Sequence, residues 1–172
     1  MNAPKIFPCR ANSAELLQAS AIPLAMMMII MMIMVTAPPA FAGLGQDVSS
    51  VPADQVQMKG TLRSTQNQAY AVHEIRAATG TVVREFVSPS GKVFGVAWQG
   101  PWPPNMRQIL ASYFEQYQRA AQVRMNSRPG RRPLMLEQPG LVVQSSGHMR
   151  SFAGRAYVPD MLPPEVSAEA IR

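Results

Sequence analysis

The sequence is poor in the residues that carry most catalytic and metal chemistry. Its 172 residues include one cysteine and two histidines. One thiol cannot form an intrachain disulfide or a C-x-x-C redox or metal motif. Only His73 and His148 can act as imidazole bases, and no G-x-S-x-G elbow supplies a nucleophile. Ser145-Ser146-Gly147-His148 crowds serine and histidine together, as many turns do. Ser90-Gly91-Lys92 is not a phosphate loop, because Phe86 stands where the first glycine would be and no Ser or Thr follows Lys92. The 10 acidic residues are spread singly, so nothing suggests a glycosidase carboxylate pair. His73, Glu74, Glu85, His148 and Met149 are the conceivable metal ligands, but they lack M-x-M or H-x-x-H spacing. No metal, cofactor or catalytic set is expected. At 47% hydrophobic residues, wholesale disorder is excluded too.

What is present begins with an address. Lys5 and Arg10 against Glu15 make a weakly positive start, and Ala21–Val35 is an apolar run of 15 residues. That is the length of a signal h-region and short of the ~20 residues a spanning helix needs. Thr36-Ala37-Pro38-Pro39 breaks the run, and Ala40-Phe41-Ala42 is an A-x-A signature. Residues 1–42 are therefore expected to be a signal peptide cleaved between Ala42 and Gly43, and the protein to be exported to the periplasm or beyond. The competing reading is an uncleaved anchor, since no charge occurs from Leu16 to Gln46. In that case the membrane is touched only through this segment. Cys9 leaves with the signal.

The remainder, 43–172, has 130 residues. Removing Lys5, Arg10 and Glu15 leaves 14 basic and 9 acidic groups, and 12 of the 14 are arginine. A chain of this size supports one core without staples. The arginine bias suits a phosphate- or carboxylate-bearing partner, or only reflects base composition.

Residues 43–53 are small and polar and are expected to be a flexible leader. Gln55–Arg63 alternates polar and apolar residues, as a half-buried strand does. Tyr70–Ala77 and Thr81–Val87 are strand-like. Ser88-Pro89-Ser90-Gly91 has the residues of a four-residue hairpin turn. Lys92–Trp98 carries apolar residues on both faces and is expected to be a central strand. Gly100-Pro101-Trp102-Pro103-Pro104 ends the sheet segment. Asn105 is a good helix cap, with Gln108 placed for a capping box. Met106, Ile109, Leu110, Tyr113, Phe114, Tyr117, Ala120 and Ala121 recur at helical spacing, predicting one helix over Met106–Met125. Arg131–Gly140 is expected to be a connection, Leu141–Gln144 a strand, Ser145–Gly147 a turn and His148–Val158 a strand. Gly154 marks a bulge or close packing. A tail follows from 161 to 172. The expected fold is α+β: an antiparallel sheet of about five to six strands in a single domain over 54–160, with one long amphipathic helix on one face.

Two longer segments carry a resemblance. Val83–Pro101 (VREFVSPSGKVFGVAWQGP) and Leu141–Pro159 (LVVQSSGHMRSFAGRAYVP) resemble the signatures of an exported bacterial family, domain of unknown function 2844. The resemblance implies a bacterial, exported, single-domain protein and supplies no catalytic residues.

The sequence thus points to a non-enzymatic envelope or secreted binding module. Its candidate surface gathers His148, Arg150, Arg155, Trp98 and Trp102 from the two signature segments. The partner would be an anionic envelope component or another exported protein, and not nucleic acid, which export removes from reach. The arginines Arg119, Arg124, Arg128, Arg131 and Arg132 form a second possible anion-facing stretch. The alternatives are an assembly subunit pairing through a sheet edge or helix face, and a small hydrolase-like enzyme using His148 with Glu85 or Glu74.

Overall fold

A computed structural model describes residues 43–127 and 133–172. The expected signal segment and Arg128, Arg131 and Arg132 lie outside the described residues. The strands are β1 (Thr61–Gln66), β2 (Ala71–Arg76), β3 (Val82–Val87), β4 (Val93–Gly100), β5 (Leu134–Gln138), β6 (Leu141–His148) and β7 (Ser151–Tyr157). They form one 7-stranded sheet in the order β1-β2-β3-β4-β7-β6-β5. Every pairing is antiparallel. The α+β expectation holds, and the strand count exceeds it.

Two meanders build the sheet. Hairpins join β1 to β4. The chain then crosses through a helical segment to the far edge, and β5-β6-β7 returns until β7 pairs with β4. The Ser88–Gly91 turn closes with Gly91 N–H donating to Ser88 O at 2.9 Å, and Gly91 takes a φ of 79°. That left-handed value is why glycine sits there.

The helical segment departs from one continuous helix. It comprises α2 (Met106–Leu110), a 3-10 turn at Ala111–Tyr113 and α3 (Phe114–Ser127). Asn105 caps it, its side chain accepting from the Arg107 N–H at 3.1 Å. The break has a visible cause. Leu44 N–H donates to Ile109 O at 3.0 Å, taking the carbonyl that Tyr113 would use in a continuous helix. Ala111 is forced to a φ of 45°.

Strand alternation sorts the core. One face carries Val83, Val96, Trp98, Leu136, Val143 and Ala156 and is covered by Leu44, Ile109 and Leu110. Tyr113, Phe114, Tyr117, Ala120 and Ala121 of the helical segment pack against the same cluster, half-buried. The other face carries a smaller core of Phe86, Phe94 and Ala97, closed by Val166 and Ile171 from the C-terminal segment. Among the described residues no helix is long and apolar enough to cross a membrane.

Five local expectations are corrected. Residues 43–53 are packed, with Leu44 and Val51 at 0% and 1% exposure. Gln55–Arg63 is not one strand. Its first part belongs to helix α1 (Val51–Gln57), with Pro52 in the opening turn. Val51, Asp54 and Met58 fall at helical spacing and turn inward, whereas Val56 faces solvent. The connection before Gly140 contains edge strand β5, whose flanking Pro133 and Pro139 an edge tolerates. The turn expected at Ser145–Gly147 lies at Met149–Arg150, with φ values of 45° and 65°. The small Gly147 serves packing instead, since a Cβ there would meet the Phe152 ring at 2.1 Å. The 161–172 tail, too, belongs to the domain through Val166 and the fully buried Ile171.

Candidate functional site

The expected surface does not assemble as a unit. Trp98 is 3% exposed and lies on the helix-covered face. Its ring covers Gly154, its partner on β7, where an added Cβ would sit 2.3 Å from Cζ2 and 2.6 Å from Gln144 O. Trp98 is therefore core, and Gly154 is the flat seat it needs. Arg155, the next residue along β7, points to the opposite face. Their side chains leave by opposite faces, although both residues are among those lining the cleft described below.

Two of the five residues do meet. Thr81 Oγ1 donates to Trp102 O at 2.7 Å and fixes the proline corner. The left-handed Met149–Arg150 turn carries the Arg150 guanidinium over the Trp102 ring, 5.2 Å from its centroid. Trp102 stays 49% exposed. His148 is exposed at the end of β6. Glu85 is on the other face, and Glu74 is four strands away, ~19 Å at ~4.8 Å per strand. The His148–carboxylate pairs are therefore not formed.

The open face holds a different arrangement. The register places Glu74, Arg84, Ala97, Arg155, Gln144 and Met135 in one row from β2 to β5. Val82, Gln99, Ala153 and Ser146 form the next row. Above these rows lies an open cleft of ≈ 460 Å³, bounded on one side by Ile171 and Arg172. Its two central guanidiniums are braced. Arg84 Nε donates to Glu74 Oε2 at 2.9 Å, and its Nη1 to Arg172 O at 3.3 Å. Arg155 Nε donates to Gln144 Oε1 at 2.9 Å, and its Nη1 to Ala168 O at 2.7 Å. Hydrogen bonds to its own main chain and to Ser167 hold Glu169 below the usual carboxylate range, with the Arg155 charge adding to them.

Only Arg155 of this set stood out in the sequence. Gln144, Ser146 and His148 do alternate along β6, but the assumed turn at 145–147 hid that alternation. Arg84, Gln99 and the Ile171–Arg172 wall depend on which strands pair across the β4–β7 seam and on the return of the tail. No local pattern encodes either.

The helix-covered face buries acids. Glu85 and Asp54 are both 0% exposed. Gln108, placed for a capping box, instead donates from Nε2 to Asp54 Oδ1 at 2.8 Å. Among the described residues no N–H donates to either Glu85 oxygen, and its polar neighbour is the Asp54 carboxyl. Two carboxyls bond to each other only if one carries a proton. Burial first, then the Asp54 hydrogen bond and charge, push the Glu85 pKa up to about 9. Glu85 is thus neutral near pH 7. On the same face Ser64 Oγ lies 2.7 Å from His73 Nδ1, and burial holds His73 below its ordinary value. His73 faces Glu85 across β2 and β3.

Among the described residues no three His, Cys, Asp or Glu side chains gather as a metal site. Arg119 and Arg124 lie on α3, where Arg119 Nε donates to Glu115 O at 3.3 Å. The rest of that basic stretch is outside the described residues.

No curated protein matches the chain. No solved structure matches it either. A family model described as "Protein of unknown function (DUF2844)" matches residues 40–171. That is nearly all of the chain beyond the expected signal, it includes both signature segments, and the chain belongs to that family.

Proposed function

We propose that the protein is an exported, non-enzymatic binding module of the bacterial envelope, and that the open-face cleft is its site. The observation that carries this reading is the pair of braced arginines, Arg84 and Arg155, lining a cleft of ≈ 460 Å³. That size lies within the usual range for small-ligand pockets. Guanidiniums already oriented by neighbours lose less freedom when they engage an anion. Among the described residues neither an acid pair nor a histidine lines this cleft, and its arginines suit holding an anion rather than proton transfer.

Native mass spectrometry of protein recovered from envelope extracts tests this reading. The wild type should carry a bound small molecule that Ala153→Trp, which fills the cleft floor, does not. Wild type and variant carrying the same adducts, or none, would defeat it. Export is tested by N-terminal sequencing of the recovered protein, expected to begin at Gly43.

An assembly role keeps one supporting observation. β1 ends the sheet and is exposed along nearly its whole length, as an edge that pairs with another chain would be. Sedimentation over a wide concentration range, with Ser64→Pro to block pairing, separates this reading from the first.

A further inference from the structure

Resting on the proposed binding role of the cleft, we infer that its ligand is a single carboxylate on an apolar body. The charge arrangement argues for one negative group. Arg84 already shares its charge with Glu74 at 2.9 Å, and the charge of Arg155 reaches Glu169 as a minor influence. A polyanion requires a surplus of positive charge, and the Glu74 pairing reduces it. What the cleft retains is donors. Among the described residues neither Arg84 Nη2 nor Arg155 Nη2 donates a hydrogen bond.

The tail supplies a second observation. Main-chain oxygens of Ala168 and Arg172 are seated on Nη1 of Arg155 and Arg84 at 2.7 and 3.3 Å. Both forks are therefore shaped to take carbonyl-type oxygens, the acceptor a carboxylate presents twice. The two arginines flank Ala97, two strand spacings or ~10 Å apart at the backbone. The body of the ligand then meets Ala153, Met135, Leu134 and Pro133, the apolar part of the cleft's lining. Such a site prefers an acyl or aromatic acid to a sugar or an inorganic anion, because a sugar's hydroxyls would be desolvated against apolar walls.

Calorimetric titration of the full exported chain with decanoate tests the inference, with decanol and acetate as controls. Decanoate should bind. Decanol lacks the charge and acetate lacks the body, so each should bind at least tenfold more weakly. Arg155→Lys keeps a cation but loses the fork and should weaken decanoate about tenfold. Ala153→Trp, far from both guanidinium braces in role, should abolish binding while leaving the fold intact by circular dichroism. Equal binding of decanol and decanoate overturns the carboxylate assignment. So does absence of decanoate binding while envelope-derived protein still carries an adduct sensitive to Ala153→Trp, and in that case the binding role stands. Absence of both defeats the two readings together.

Discussion

Arg84 and Glu85 are adjacent on β3 and meet opposite solutions to the same problem. Glu85 turns to the helix-covered face, is 0% exposed, and keeps its place by giving up its charge. Arg84 turns to the open face, has a side chain 32% exposed, and keeps its charge by pairing with Glu74. A deeply buried ion without a partner costs several kcal/mol, so protonation wins on one face. Water and a neighbouring carboxylate make ionisation cheap on the other. The comparison teaches that burial neutralises the acid on the covered face while solvent and a partner keep the open-face side chains ionised.

The largest test exploits another adjacent pair, Ala153 and Gly154 on β7. Gly154 seats Trp98, so Trp98→Ala should cost about 3–5 kcal/mol in guanidinium unfolding. Gly154→Val should also be severely destabilising, since even a Cβ meets Trp98 at 2.3 Å. Ala153→Trp, one residue away on the open face, should change stability by less than about 0.5 kcal/mol. Equal costs at the two positions would erase the distinction between the faces.

The second test uses pH. The folded chain holds a proton on Glu85 that the unfolded chain releases near the ordinary carboxyl value of 4.5, and the folded value is about 9. A raised carboxyl pKa makes the folded state bind more protons, so stability falls as pH rises through this window. The slope is at most about 1.4 kcal/mol per pH unit for one proton. His73 acts in the opposite sense, but only below its ordinary value of 6.5. Unfolding measured from pH 7 to pH 9 therefore isolates Glu85. Wild type should weaken across that range, Glu85→Gln should not, and Arg84→Gln should keep the wild-type slope. A slope that survives in Glu85→Gln would show that the proton lies elsewhere.

These two faces also explain what the sequence revealed. The hairpins of β2–β4, the central strand with apolar residues on both sides, the Asn105 cap and the close packing at Gly154 are local signals, and the alternation or spacing of neighbours carries them. The edge strand β5 has only Leu134 and Leu136 facing inward, too brief an alternation to stand out between prolines. The helix break at Ala111 arises from Leu44, more than sixty residues earlier in the chain. The cleft is less legible still. Its lining comes from β3, β4, β7, β6 and β5, and it exists only once β7 has docked on β4. Trp98 and Arg155 both looked functional because each sits in a signature segment, but strand alternation sends them to opposite sides.

A smaller effect is expected at the cap. Asn105→Ala removes the acceptor for Arg107 N–H at 3.1 Å and should cost about 1 kcal/mol. The cost should be independent of pH from 7 to 9, because no titrating group takes part. A pH-dependent loss would link the cap to the nearby Gln108–Asp54–Glu85 chain and blur the separation between packing and protonation.

The smallest effect lies where the two faces meet, at the Met149–Arg150 turn. Both residues hold left-handed φ values that side chains disfavour, and two-residue hairpins of this kind prefer Asn-Gly. Relieving them should gain about 1–2 kcal/mol. Losing the Arg150 stack on Trp102 should return about 0.5–1 kcal/mol. Met149→Asn with Arg150→Gly is therefore expected to stabilise by about 0–1.5 kcal/mol, read as a small rise in the denaturation midpoint. The fluorescence should divide by face. Acrylamide should quench Trp102, already 49% exposed, more strongly in the double variant, while Trp98 at 3% stays protected. If the variant is instead less stable than wild type, the stack outweighs the backbone strain. The exposed turn would then be held in place by Trp102 rather than merely tolerated.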